Sequence, residues 1–275
     1  MAARLECLLP AHAPAPRSTF AGDRTSPVLA SAGPLEVLVA RDREDILRAQ
    51  RLRYQVFAEE LGAVLDAARG LDRDVFDAFC EHLIVRERAT GEVVGTYRLL
   101  LPEQATELGG LYSDGEFVLD RLDCLRPKLV ELGRSCVRTD HRSGAVIMLL
   151  WSGLGALLAG TPLRYLIGCV SVSIRDGGDF AASLYHRLAR THMADEPLRA
   201  FPRRRLELER LDHGLDVVPP PLFKGYLRAG ARLLGEPHVD GQFACADFPV
   251  MLDLAALQSR YQRRFAAGPV EAAAQ

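Results

Sequence analysis

The run VELGRSCVRTDHRSG, residues 130–144, sets an acid, Glu131, and a guanidinium, Arg134, inside an otherwise apolar, strand-like segment. An ionised side chain in such a segment is costly unless it is paired or used. Glu131 can take a proton or hold a cation, and Arg134 can grip a carboxylate through parallel N–H donors. Further charges sit in comparable settings: Arg53 in RLRYQVFAEE, Asp77 in FDAFCEH and Arg98 in GTYRLL. His82, closing FDAFCEH, is a second candidate base because imidazole titrates near neutrality. Each has a plainer reading. Glu131 and Arg134 can be a strand-edge ion pair. Three residues apart on a regular strand they face opposite sides, unless a bulge near Gly133 turns one of them. Phe57, at i+4 from Arg53 on one helical face, can be core alone. His82 can be hydrogen-bonded and nothing more, and Asp77 can pair with an arginine. Cys136 has no His–Asp pair beside it and is a poor nucleophile.

These residues need a scaffold, and the chain alternates strand and helix patterns. LEVLVA (35–40) alternates like a strand, and Asp42 can cap the helix REDILRAQRLRYQVFAEEL. Residues 62–80 lack a period and read as a long loop. HLIVRE and VVGTYRLL, joined by RATGE, read as a hairpin. LVELGRSCV is a strand, 144–160 an apolar helix, RYLIGCVSV a strand buried on both faces, and DFAASLYHRLARTHM an amphipathic helix. RRLELERL reads as a strand. Three prolines at 219–221 precede a helix over 222–234 that sets Lys224, Arg228 and Arg232 at i, i+4 and i+8. PHVDGQFACADFPVML is irregular and extended, and DLAALQSRYQRRF is a closing helix. The order favours an α/β (α+β) layered domain with a mixed sheet. No GxGxxG follows a strand, which disfavours a dinucleotide fold.

With a formal net charge of −2 over 275 residues, the composition does not point to nucleic acid. Lys128 and Lys224 are the only lysines, so cationic recognition falls to arginine. The six cysteines form no CxxC, which argues against a zinc or redox motif and for a reducing compartment. The Ala-, Pro- and Ser-rich residues 1–34 read as a disordered leader without a secretory h-region. The 145–160 run is 16 residues long, short of the ~20 that span a bilayer.

Taken in order, RxRYxVFxxE (51–60), FDAFCEH (76–82), GTYRL (95–99) and ELGRSCV (131–137) resemble the acyl-carrier-protein-dependent branch of the GNAT superfamily. That branch holds the acyl-homoserine lactone synthases and the ornithine N-acyltransferases of ornithine-lipid synthesis. PPLFKGYLRAGARLLGEPHVDGQFACADFPVMLDL (220–254) is similar to the C-terminal part of the latter, which the lactone synthases lack. The similarity covers most of residues 35–265.

The resemblance implies a GNAT-like core over 35–218, with a mainly antiparallel mixed sheet flanked by helices, and a C-terminal helical extension over 219–275. It implies transfer of a 3-hydroxyacyl group from carrier-protein phosphopantetheine to the α-amine of ornithine. That aminolysis needs a neutral amine, a base and donors for an oxyanion. On this reading Glu131 orients or deprotonates the amine, with His82 as the alternative. Arg53, Phe57, Asp77, Arg98 and Arg134 contact substrate. Arg138, Arg142, Ser143 and Gly144 hold the phosphopantetheine or its carrier. Their turn carries a single glycine where acetyl-CoA enzymes show a glycine-rich loop, which suits one phosphodiester better than a pyrophosphate. No metal or resident cofactor is implied. The expected setting is cytoplasmic, with the basic face of helix 222–234 able to lie on the inner membrane. The alternatives are an S-adenosylmethionine-using lactone synthase or another amino-acid N-acyltransferase, and, without turnover, an acyl-carrier or lipid-binding module. The C-terminal segment argues against the lactone synthase, and the retained cleft charges argue against the module.

Overall fold

The computed structural model describes residues 27–65 and 70–255. Strands β1 (Val28–Ala32) and β2 (Leu35–Val39) form a hairpin, and helix α1 (Arg43–Tyr54) runs on into a π-helical turn, Gln55–Glu60. A second hairpin pairs β3 (Glu81–Glu87) with β4 (Val93–Leu100). Helix α2 (Pro102–Leu108), the short β5 (Phe117–Val118) and a 3-10 segment lead to β6 (Leu129–Val137). Then come α3 (Ala145–Leu158), β7 (Tyr165–Ser173), α4 (Asp179–His192), β8 (Phe201–Pro202) and α5 (Leu208–Leu211). The described part closes with α6 (Pro221–Ala229), β9 (Arg232–Leu233), β10 (His238–Asp240) and β11 (Cys245–Asp253).

The main sheet runs β1-β2-β3-β4-β6-β7-β11-β10, with β9 also on β11. Every pairing is antiparallel except β6 with β7. The period-2 pattern of the strands gives the sheet two apolar faces, and a helix closes each. Asp42 caps α1, accepting from the Asp45 amide at 2.7 Å. Ile46, Ala49 and Leu52 of α1 then pack on Leu38, Ile84 and Cys136. On the other face α3 lays Val146, Leu150 and Leu154 against Val37, Leu83 and Tyr97. It can come that close because β4 carries Gly95, where a Cβ would meet Val146 Cγ1 at 2.3 Å.

Several boundaries differ from the sequence reading. The leader expected over 1–34 stops short, since Val28–Ala32 is β1, held by its ladder to β2; residues 1–26 lie outside the described residues. RRLELERL is no strand: Leu208–Leu211 turns helical as α5, and Arg205 makes only an isolated bridge to His238. The helix expected over 222–234 ends at Ala229, where Gly230 takes φ +107, so Arg232 falls in β9 and leaves the helical line of Lys224 and Arg228. Within the described residues, which reach 255, the expected helical extension holds more strand than helix. β11 pairs with β7 along its whole length and is buried through Leu252, which hides its alternation from a sequence scan. Pro249 sits between the residues paired to β10 and those paired to β9. The helix expected at the close falls, beyond residue 255, outside the described residues. Among the described residues no helix is long and apolar enough to cross a membrane.

Candidate active site

Strands β6 and β7 pair in parallel only where Leu129–Leu132 face Tyr165–Gly168. At the vertex a Cβ on Gly168 would sit 2.5 Å from the Leu132 carbonyl oxygen, an approach only glycine permits. Beyond it the ladder ends. At the same level Arg134 takes φ +50, and the register of β6 against β4 shifts by one residue between Thr96 and Arg98. This bulge turns Arg134 to the same side as Glu131, which a regular strand forbids. The divergence opens a cavity of about 300 Å³ that passes through the sheet and is lined from both of its faces.

Alternation along the strands makes the two halves chemically different. Tyr97, Leu132, Leu166, Val250 and Leu252 reach one half, where Trp151 of α3 and Phe223 and Tyr226 of α6 complete an apolar limb. Arg98, Glu131, Cys169, Ser171 and Asp247 reach the other, joined by Tyr112, Ser113, Glu116 and Asp240. Four carboxylates therefore face one lobe.

Those carboxylates are not equivalent. Glu131 is buried and fully engaged: it accepts from the amides of Tyr112 and Ser113 at 2.6 and 2.8 Å, and from Ser113 Oγ at 2.5 Å. Burial raises its carboxyl above the ordinary range, and the Ser113 and Tyr112 donors oppose that rise. Among the described residues, Glu116 accepts only from the weak Cys169 thiol, at 3.3 Å. Burial, then the nearby Asp247, push it up to about 8. Asp247 accepts from Ser171 Oγ at 2.5 Å, and burial raises it to about 6. A carboxyl poised near neutrality at the wall of a cavity is suited to move protons.

Three arginines and three aspartates brace the lobe from the side of α1. Arg53 Nε donates to Asp72 at 2.8 Å, and its Nη2 to Asp77 at 3.0 Å. Arg98 donates to Asp74 at 2.6 Å. Arg134 reaches Asp72 and Asp74 at 3.2 Å each, between the rings of Tyr112 and Phe243. Burial alone would raise Asp77; the Arg53 and Arg98 guanidiniums overrule it and hold it low.

Of the residues singled out in the sequence, Glu131, Phe57, Arg98 and Arg134 line the cavity, whereas Arg53, Asp77 and His82 do not. Arg53 and Phe57 part company because the helix passes into π-helical winding at Gln55. Arg53 enters the ion network, and Phe57 packs edge-on against Phe243 at the cavity wall, 5.9 Å between centroids. His82 lies beneath the segment 72–78, with Nε2 donating to the Asp77 carbonyl at 3.0 Å, and burial lowers its pKa. A neutral imidazole covered in this way cannot reach a substrate in the cavity. Cys136 is buried on the α1 side, its thiol pushed up to about 12 by burial. Arg138, Arg142, Ser143 and Gly144 lie outside the cavity, on the turn before α3. Arg138 pairs with Glu92 and Asp140, and Arg142 with Glu60. Gly144, at φ +94, caps α3. Glu116, Asp240 and Asp247 were missed. The one signal, an acid inside the apolar run ACADFPVML, marks Asp247 alone.

An acetyltransferase (GNAT) domain profile matches residues 52–152. A Brucella abortus (strain 2308) protein named L-ornithine N(alpha)-acyltransferase is 35% identical over 265 residues, spanning 90% of this chain and 94% of its own length. A Rhodobacter capsulatus protein of the same name is 36% identical over 252 residues, with 84% and 95% covered. One from Agrobacterium fabrum is 34% identical over 269 residues, with 90% and 89% covered. The GNAT-like fold that the motifs imply is the fold observed. With a third of its residues identical along nearly its whole length, this chain belongs to the L-ornithine N(alpha)-acyltransferase family of GNAT enzymes.

Proposed function

We propose that the protein transfers a 3-hydroxyacyl group from acyl-carrier protein to the α-amine of L-ornithine, with Glu116 as the base. The observation that carries this reading is the cavity at the β6–β7 divergence, acidic on one side of the sheet and apolar on the other. The apolar limb takes the acyl chain, and the thioester lies at the divergence. The four-carboxylate lobe takes an acceptor that brings two ammonium groups. Glu116 receives a proton from the α-ammonium. The freed amine attacks the thioester carbonyl, the C–N bond forms, the C–S bond breaks, and the thiol leaves with a proton. Glu131 positions the Tyr112–Ser113 segment that walls the lobe. Arg134, braced by Asp72 and Asp74, presents its charge to the acceptor carboxylate.

The single-glycine turn at Gly144 supports a carrier protein over coenzyme A, and Arg138 and Arg142 would exchange their present acidic partners for those of the carrier. Leu215, Val218 and Leu222 are exposed near α6, where an amphiphilic product leaving the limb could pass to the cytoplasmic face of a membrane. The test is product analysis with 3-hydroxyacyl-carrier protein, the matching acyl-coenzyme A, and ornithine labelled at one nitrogen. Amide at the α-nitrogen and a higher kcat/KM with the carrier support the reading. Amide at the side-chain nitrogen overturns the acceptor geometry, and preference for coenzyme A overturns the donor.

A further inference from the structure

The apolar limb holds one polar feature that acyl transfer leaves unused. Tyr97 of β4 and Tyr226 of α6 bring their hydroxyl oxygens to 2.5 Å, and the two residues are only 3% and 8% exposed. Two hydroxyls carry two protons, and their mutual hydrogen bond consumes one. Among the described residues the second proton has no acceptor. A buried donor without an acceptor is destabilising; phenylalanine at one position would strand the other hydroxyl, and only phenylalanine at both would remove every buried O–H while keeping the packing. Burial raises both phenols, Tyr226 to about 12, so both remain O–H groups at neutral pH. The pair also lies near the mouth of the limb: Tyr97 precedes Arg98, which faces Gly133 where β6 and β7 diverge.

We infer that Tyr97 and Tyr226 are specificity residues that read a hydroxyl on the acyl chain within a few carbons of the thioester. The spare phenolic O–H donates to the ligand oxygen, and the ligand hydroxyl donates back to the other phenol. A chain without that oxygen leaves the hydrogen bond between the two phenols as it is, and so gains less on binding. The inference rests on the apolar limb being the acyl site, and its test needs no turnover. Trp151 is the only tryptophan in the chain, and its ring lies 5.4 Å from that of Tyr226, so its fluorescence reports occupancy of the limb.

The full-length protein is titrated with 3-hydroxydodecanoyl-pantetheine and with dodecanoyl-pantetheine, alongside Tyr97→Phe and Tyr226→Phe, singly and together. The expected result is about tenfold tighter binding of the hydroxylated chain to wild type, the worth of one or two hydrogen bonds. In either variant that preference should fall because the hydroxylated chain loses one of its two hydrogen bonds, and in the variant carrying both substitutions it should collapse toward unity. Equal affinity for the two chains in wild type, or parallel weakening of both in the variants, overturns the inference and leaves the acyl limb standing. A Trp151 signal that responds to neither chain overturns the acyl-limb reading as well.

Discussion

At the scale of single residues, the two glutamates that flank the acceptor lobe have opposite jobs. Glu131 is saturated with donors, so its loss should be structural. Glu131→Ala strands two amides and a hydroxyl, and should cost about 3 kcal/mol in a denaturant melt, with activity falling alongside. Glu116 accepts one thiol and titrates at about 8, so its loss should be chemical. As a base it works deprotonated. The kcat/KM of wild type should therefore rise with pH and level off above about 8, while Glu116→Gln should be about 10²-fold slower or worse and lack that rise. The same group opposes folding. The folded carboxyl keeps its proton to about 8 and the unfolded one loses it near 4.5, so its contribution is intact below that window and lost as pH rises through it. Glu116→Gln should then be more stable than wild type at pH 8, on the order of 2 kcal/mol, and equal to it at pH 4. A variant that melts lower than wild type at pH 8 would contradict the assignment. Glu131 and Arg134 were legible because charge stands out inside an apolar strand. Glu116 was not, since DGEFVLD looks like a surface turn until β7 and β11 close over it.

At the scale of elements, the site is made by what β6 fails to do. It pairs with β7 for four residues, bulges at Arg134 and lets go. Gly168 sets where this happens. Gly168→Ala drives a methyl group into the Leu132 carbonyl and should cost about 1–3 kcal/mol by thermal melt, with a larger proportional loss in kcat/KM as the vertex shifts. Unchanged kinetics in that variant would detach the vertex from catalysis. The β3–β4 hairpin, β2, α1, α3, α4 and β7 were readable from period and capping; β1, inside the stretch expected to be leader, was not. A bulge near Gly133 was one of two readings, because hydrophobic alternation alone does not say where a register slips. β11 was read only as irregular and extended because a strand buried on both faces shows no alternation. The π-turn at Gln55, which separates Phe57 from Arg53, leaves no mark on the helical period.

At the scale of the whole molecule, one sheet divides two chemistries. The face under α3 and α6 offers hydrocarbon, the face under α1 offers carboxylates braced by an arginine–aspartate network, and the β6–β7 divergence is the passage between them. Order along the chain conveyed the layers but not this passage, which arises from residues 97–98, 112–116, 131–134, 168–171 and 240–252 meeting in space. The proposed reaction, joining an acyl thioester to an amino acid with a cationic side chain, suits that arrangement. The most direct measurement is thiol release from 3-hydroxyacyl-carrier protein by the purified full-length protein, followed with and without L-ornithine. The account predicts release that depends on ornithine, with one amide formed per thiol. Thiol release at the same rate without ornithine, or with no amide formed, would contradict it.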